Sequence, residues 1–496
     1  MNVQTDTSAA ALMAELQKMT QIPDPLMPDA LAKATFNQSG SATSGLTYYD
    51  LEPGAKFLYP VLTPLRNMVP RVSGKGGIQA NWRAITAINT TNLEIGVSEG
   101  NRGAVIAVAT ADYLAAYKGI GLESSVTFEA QYAAQNMADV RAIAGKTGLQ
   151  ATMLREERLI LAGNGSLALG ITPTPTLVGS TTGGTLAAQT WSVICVALTH
   201  AGLLSATVPG GIPTQITRTN ADGSTDTYGG GSAQKSTAAT VATTGTTSSI
   251  AARVAAVRGA MGYAWFWGTA GSELLGAITT FPAYTIAAAA AGTQNASVAA
   301  ADNSVNNLVF DGFVTQAFKS GSDAYWADLG GNTLTADGTG GIVEIDALLQ
   351  DRWENYKLSP DTIWCSAVDA KNIGKKILAG NANGALRFNV NLDQAAMQGG
   401  IMVSTYLNSY SMDGAKTLTI KIHPNMPQGT LLFMTSTMPY PMSDVTNMFQ
   451  MLCRQDYYQI EWPLTTRRYQ YGVYADEVLQ HYFPPSMGLI TGVKPG

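Results

Sequence analysis

Residues 157–173 read Glu-Arg-Leu-Ile-Leu-Ala-Gly-Asn-Gly-Ser-Leu-Ala-Leu-Gly-Ile-Thr-Pro, and this stretch decides how the chain is divided. Gly163-Asn164-Gly165-Ser166 is a turn signature, and Gly170-Ile171-Thr172-Pro173 confirms that the pattern before it has stopped. Going backwards, Phe128, Tyr132, Met137, Val140 and Ile143 recur at spacings of three to five, which predicts a helix from about Thr127 to Ala162. Continuous, it would be roughly 50 Å long. Gly145 and Gly148 interrupt the pattern. Each costs about 1 kcal/mol against alanine, so a bend or brief break, and any flexing of the helix, is expected there. The run Arg155, Glu156, Glu157, Arg158 reads as the solvated end of this helix. Adjacent helix residues do not share a face, so Glu156 and Glu157 are not read as a catalytic carboxylate pair.

Ahead of the helix, Ile78, Ala80, Trp82 and Ala84 alternate with Gln79, Asn81 and Arg83, the periodicity of a strand. A second apolar, β-branched run follows at Val105–Val108, and between them lies a polar tip with Glu94, Gly96, Glu99, Gly100, Arg102 and Gly103. A long hairpin of this kind is marginal alone, which points to neighbours. Residues 1–54 combine a short helical patch at Ala9–Met19, a break at Pro23, Pro25 and Pro28, and a small polar stretch at Gln38–Gly45. They read as an extended arm that buries too little apolar surface to order itself.

Beyond the turn, composition shifts at about Gly179 and stays rich in Thr, Gly, Ser and Ala through roughly Asp302. Strand-like islands at Trp191–Leu198 and Tyr263–Trp267 and polar loops such as Thr219–Ser232 predict an inserted β-rich domain, with no fixed-period repeat. From Val305 the mixed character returns. Ile342, Ile345, Leu348, Leu349 and Trp353 mark an amphipathic helix closed by Ser359-Pro360. A strand at Asp361–Cys365, a helix at Asp369–Leu378, and strands at Leu418–Ile422 and Leu431–Met434 follow. The tail is strand-like around Tyr457, Ile460, Trp462, Tyr469, Tyr471, Val473, Val478 and Leu479. The fold class is α+β.

Of the 496 residues, 46% are hydrophobic and only 13% charged. That is about half the usual charged share and the reverse of a disordered chain. Such a surface is most simply hidden against other subunits. The net charge of −5 and the absence of a basic block argue against a dedicated DNA-binding role. Cys195, Cys365 and Cys453 are far apart and form no CxxC, so neither a disulfide framework nor a zinc knuckle is expected, and a reducing cytoplasm fits. The first eight residues lack the regions of a signal peptide. Apolar runs are broken, as by Asp112 and Lys118, so no transmembrane helix is expected.

The search for chemistry is mostly negative. Gly145-Lys146-Thr147 ends like a phosphate loop, but Val140 stands where the first glycine is required. Only His200, His423 and His481 are available, without metal-ligand spacing, HExxH or GxSxG. No enzyme activity, cofactor or metal is expected. Tyr469, Tyr471 and Tyr474 fit a stacking platform or a packed sheet, and strand spacing favours the sheet.

The order of elements resembles that of the major capsid proteins of tailed bacteriophages, the Hong Kong 97-type or Johnson fold. Glu157 through Ser166 with Gly170-Ile171 looks like the end of that family's spine helix. His423-Pro424-Asn425-Met426-Pro427-Gln428-Gly429-Thr430 looks like the turn before a late strand. Asp456-Tyr457-Tyr458-Gln459-Ile460, Arg467-Arg468-Tyr469 and Pro485-Ser486-Met487-Gly488-Leu489-Ile490 look like its C-terminal sheet. The resemblance implies an N-terminal arm at 1–54, the start of a peripheral domain and an E-loop at 55–125, and a spine helix at 126–165. It implies an axial domain at 166–179 and 305–435, an inserted β-rich domain at 180–304, and a return to the peripheral domain at 436–496.

By the same resemblance the chain would be a structural protein of the virion, self-assembling in the bacterial cytoplasm into hexamers and pentamers of an icosahedral head around double-stranded DNA. A separate scaffolding protein, a portal protein and a decoration protein would be its partners, with no membrane. Glu94, Glu99 and Arg102 at the loop tip, with Lys75 and Arg83, are candidate inter-subunit contacts. Exposed pairs are worth about 0–1 kcal/mol each, which suits reversible assembly. The alternative is a secreted or tail-associated β-rich adhesin that binds carbohydrate, favoured by the Thr/Gly-rich insert and the tyrosines.

Overall fold

The structure is a computed structural model. It describes residues 56, 58–88, 96–103, 105–135, 138–220, 222–379, 403–412, 414, 416–440, 442–445 and 447–495. The arm at 1–54 and the tip residue Glu94 lie outside the described residues. The chain divides into two compact units, Met1–Leu58 with Glu129–Val140, and Tyr59–Phe128 with Arg141–Gly496. In the first, the described secondary structure is helical; the second holds every described strand.

The chain opens with α1 (Pro64–Met68), β1 (Arg71–Ser73), β2 (Gln79–Ile88), β3 (Val108–Ala116), β4 (Lys118–Thr127), α2 (Phe128–Ala133) and α3 (Val140–Ala162). Pro64 starts α1, where its missing N–H is no loss, and Pro70 forbids its continuation. The long helix differs from expectation. Helix α3 runs unbroken through Gly145 and Gly148, and the interruption falls instead between α2 and α3, where the Gln135 N–H turns back to the Tyr132 carbonyl at 3.2 Å. Packing outweighs the two glycines. A Cβ at Gly148 would sit in ordinary contact with Val473, 3.6 Å away.

The Gly163–Ser166 turn is as tight as its sequence demands. A Cβ on Gly163 would press against the Phe310 carbonyl, and the Asn164 amide closes the turn on Leu167 at 2.8 Å and reaches Ser304 at 2.9 Å. The Asp311 carboxylate accepts from Gly165 N and Ser166 Oγ, both at 2.7 Å. The β-rich segment thus leaves and returns at one point.

That segment contains β5 (Thr176–Ser180), β6 (Thr190–Leu198), α4 (His200–Ser205), β7 (Gln215–Thr219), β8 (Thr225–Gly229), β9 (Ala239–Ala242), β10 (Ser249–Arg253), β11 (Gly262–Gly268), β12 (Leu274–Thr279) and β13 (Ala283–Ile286). They form a sheet of order β12-β11-β6-β9, another of order β13-β10-β5, and a β7–β8 ribbon. Strand β6 reads as a continuous apolar run because both its faces are covered. Trp191, Val193 and Cys195 enter one core, whereas Ile194, Val196 and Leu198 enter another.

The remainder comprises α5 (Phe313–Phe318), β14 (Tyr325–Asp328), α6 (Val343–Tyr356), β15 (Thr362–Cys365), α7 (Ala367–Ala379), β16 (Thr405–Asn408), β17 (Lys416–Ile422), β18 (Leu431–Met434), β19 (Phe449–Glu461), β20 (Arg468–His481) and β21 (Met487–Thr491). Helix α6 ends in a left-handed turn at Lys357, φ 54°. A four-stranded sheet has the order β1-β19-β20-β4, and a six-stranded mixed sheet the order β14-β21-β18-β15-β17-β16. The final strand therefore differs from its sequence grouping with the closing strands of 436–496. It inserts between β14 and β18 because Met487, Leu489 and Ile490 are all buried, a pattern that only a doubly covered strand satisfies. Among the described residues, no helix is long and apolar enough to cross a membrane.

Because α3 has room at both glycines, Gly145→Ala and Gly148→Ala should each raise the unfolding free energy of the unassembled subunit by about 0.5–1 kcal/mol. Gly163→Ala should lower it by roughly 1–3 kcal/mol through overpacking. Urea unfolding followed by circular dichroism measures all three. Destabilisation by the first two would mean the helix needs its glycines.

Candidate functional site

Two features carry functional weight, an uncovered ribbon and a buried charge cluster. In the ribbon, β2 and β3 pair with each other from Gln79↔Ala116 to Ile88↔Val108, with a register shift between Ile85 and Ala87, and among the described residues join no other sheet. The second strand begins where the expected Val105–Val108 run ends. At the root, the Trp82 and Tyr113 rings stack at 5.8 Å, Tyr482 meets Trp82 edge-on at 6.1 Å, and Ala80 and Ala115 pack on the main core. Apolar side chains are uncovered both at the root, where Leu114 opposite Asn81 is 68% exposed, and further out, where Ile85 is 68%, Ile88 53% and Val108 49% exposed. Val97, Val105 and Ile106 in the connection are also exposed.

The predicted contact residues are spread along this ribbon. Lys75 lies before its root, and Glu99 and Arg102 lie in the connection, all exposed. Arg83 sits mid-strand and is already engaged, with Nε and Nη2 donating to the Asp112 carboxylate opposite it at 2.5 and 2.9 Å. The four described ones are therefore not brought together in one cluster, and Glu94 is outside the described residues.

The second feature corrects the sequence reading. Glu156 and Glu157 are fully buried, not solvated. Their carboxylates point to different partners. Glu156 accepts from Arg66 Nε at 2.8 Å, and also from Arg71 Nη1 and the Tyr457 hydroxyl. Glu157 accepts the backbone N–H groups of Leu65 and Arg66 at 2.9 and 2.7 Å. It also meets His423 Nε2 at 2.7 Å. The Asn425 N–H donates to His423 Nδ1 at 3.1 Å, which leaves Nε2 as the donor to Glu157. Arg71 Nη2 reaches Asp456 and Glu477, each at 2.7 Å.

Burial, and then the nearby Glu156 charge, push the Glu477 carboxyl up to about 8, against the pull of Arg71. Its Oε1 is buried without a donor, as suits a protonated acid. Burial pushes the Cys453 thiol up to about 12 and, with Glu156, raises the Tyr457 phenol. The side chains of Glu156, Glu157, Glu477 and His423 have no solvent exposure, so no substrate reaches them. The cluster holds elements together. Sequence reasoning missed it because every partner is distant in the chain; a local signal was the pair of apolar residues, Ile160 and Leu161, that follows.

The remaining sequence candidates resolve locally. Lys146 and Thr147 lie inside α3, with the Thr147 hydroxyl donating to the Ile143 carbonyl at 2.9 Å. Tyr469 is covered by the Arg141 guanidinium at 4.1 Å and by Phe128 at 4.9 Å, and Tyr474 stacks on Tyr458 at 5.9 Å. The tyrosines are packed in the sheet. His200 and His481 are buried, which lowers them to about 4 and about 3.

No protein-family profile matches the chain, and no curated protein matches it. Among solved structures it is similar to the capsid of an empty GTA particle, with 8% identity, 92% of this chain and 99% of that chain covered, and a TM-score of 0.45. It is similar to the capsid of the Myoviridae phage XM1, with 10% identity, coverage of 91% and 98%, and a TM-score of 0.41. It is similar also to the capsid of cyanophage P-SCSP1u, with 8% identity, coverage of 94% and 99%, and a TM-score of 0.39.

Glu157→Ala should cost roughly 3–5 kcal/mol, because it strips an acceptor from two buried N–H groups and His423. Glu477 gives a pH signature. Its folded value lies above the ordinary 4.5, so the native state holds an extra proton; the associated stability is full below about 4.5 and is lost as pH rises toward about 8. Relative to Glu477→Gln, the wild type should lose on the order of 1 kcal/mol per pH unit across that window. Denaturation midpoints of both proteins at pH 5 and pH 8 test this, and a constant difference refutes it.

Proposed function

We propose that the chain is the major capsid protein of a tailed bacteriophage, with the Hong Kong 97-type fold, building hexamers and pentamers of an icosahedral head around double-stranded DNA. The observation that carries this reading is the β2–β3 ribbon. Each strand is nine or ten residues long, pairs with no third strand among the described residues and exposes apolar side chains, Ile85 and Ile88 on one and Val108 and Leu114 on the other. A two-stranded ribbon with bare apolar faces is marginal in water, and an apolar surface of this kind marks a contact with another molecule. Further copies of the same chain supply that cover most economically. A surface this poor in charge, 13% of residues, fits burial between copies. The element order and the motifs around Gly163, His423 and Tyr469 resemble the capsid family.

In this reading the ribbon is the E-loop. Lys75, Glu99 and Arg102 face neighbouring subunits, and many weak contacts around each capsomer add up to a stable shell. The net charge of −5 lets the shell enclose DNA without binding it tightly. A scaffolding protein directs assembly and a portal protein occupies one vertex. The particle is built in the host cytoplasm, away from membranes.

The test is expression of the full chain, alone and with candidate scaffolding proteins, followed by negative-stain electron microscopy. Closed particles, tubes, or hexameric and pentameric rings are expected. The double variant Ile85→Glu with Leu114→Glu should reduce particle yield at least tenfold while leaving the subunit's circular dichroism unchanged. A monodisperse monomer in every condition overturns the proposal.

A further inference from the structure

The C-terminal end of α3 and the β-rich segment enclose a cleft of about 190 Å³. Its helical wall carries Arg155 and Arg158, three residues apart and so on one face. The facing wall is formed by α4 and the backbone at Gly229 and Gly231. Among the described residues, no aspartate or glutamate lines the space.

The two arginines are under-used. Arg155 is partly buried, and among the described residues its guanidinium makes one hydrogen bond, Nη1 to the Gly121 carbonyl at 3.2 Å. Arg158 is exposed at the cleft and takes part in no ion pair among the described residues. An arginine side chain offers five N–H donors in a planar fork, so most of this capacity is unmatched. Burial, and next the charge of Arg218 on β7, push the Arg155 guanidinium down, the mark of a cation without a counter-charge. Arg218 itself is matched, by Asp226 at 2.8 Å. His200 on the same wall adds no positive charge at neutral pH, since burial holds it at about 4, and its Nε2 is bound to the Asn425 carbonyl.

We infer that this cleft binds a phosphate dianion, either inorganic phosphate or a phosphomonoester, held between the forks of Arg155 and Arg158. Two uncompensated guanidinium groups are balanced by a dianion but only half balanced by a carboxylate. Paired forks also match the geometry of phosphate oxygens. The site lies on α3 and the β-rich segment, away from the ribbon, and does not depend on the shell reading.

The full chain is titrated at pH 7.5 and low ionic strength with inorganic phosphate, with a nucleoside monophosphate and with acetate, using calorimetry and ³¹P line widths. Saturable binding of one phosphate per chain is expected, with acetate at least tenfold weaker. Tighter binding of the monophosphate identifies a phosphomonoester as the ligand, and equal or weaker binding identifies free phosphate. Arg158→Gln, at an exposed position, should weaken binding at least tenfold without changing the melting temperature. Arg155→Lys, which keeps the charge but not the fork, should weaken it by a smaller factor. Absent saturation, acetate binding as tight as phosphate, or wild-type affinity in Arg158→Gln overturns the inference.

Discussion

The buried carboxylates Glu156 and Glu157 are the constraint on which the arrangement of the other elements depends. Taking a carboxylate out of water costs several kcal/mol unless its lone pairs are met, and here each oxygen pair is met by groups far away in sequence. Glu157 fixes α1 through two backbone N–H groups and fixes the turn before β18 through His423. Glu156 draws in Arg66, Arg71 and Tyr457, and Arg71 passes the link to Glu477 on β20. Strand β1 shows what this accomplishes. It is three residues long and pairs in parallel with Met451, Leu452 and Cys453. So short a pairing needs the Arg71 anchor beside it. Apolar replacements of such clusters are often neutral, whereas removal of one partner leaves an uncompensated buried charge and is costly.

The same sheet sets the root of the ribbon. Arg454 of β19 donates to the Gly77 carbonyl at 3.1 Å, pairs with Asp476, and lies 5.7 Å from the Tyr117 ring centroid. Gly77 precedes β2 and Tyr117 follows β3, so one arginine grips both legs of the hairpin. The ribbon's contacts with the rest of the fold are therefore concentrated at its root, while Ile85, Ile88 and Val108 farther out stay exposed. That division is sensible for a limb whose remaining stabilisation comes from another molecule, and wasteful for an ordinary surface hairpin.

Where local pattern decides, the sequence is legible. The island at Trp191–Leu198 becomes β6, that at Tyr263–Trp267 becomes β11, and the Ile342–Trp353 periodicity becomes α6. The turn at Gly163 is legible because only glycine tolerates the Phe310 carbonyl. The failures share a cause. The unbroken passage of α3 through Gly145 and Gly148, the departure of β21 to the other sheet and the burial of Glu156 and Glu157 are all set by partners tens to hundreds of residues away. No window of local sequence contains Arg71 together with Glu477, or His423 together with Glu157. Of the functional surfaces, the hairpin is visible in its alternation, whereas the uncovered state of its far half becomes visible only when every sheet is in place.

The run Arg155-Glu156-Glu157-Arg158 nevertheless holds a readable signal that composition obscures. Successive residues on an α-helix are turned by about 100°. Arg155 and Arg158 then lie about 60° apart, and the mean direction of Glu156 and Glu157 points to the opposite side. The run is therefore a helix with separated signs and not a uniformly charged, solvated end. The acidic side meets Arg66, Arg71 and His423, and the basic side meets a wall without acids. A carboxylate face can be buried when cations and N–H groups close over it. On the guanidinium face opposite, no carboxylate closes over Arg155 and Arg158 among the described residues.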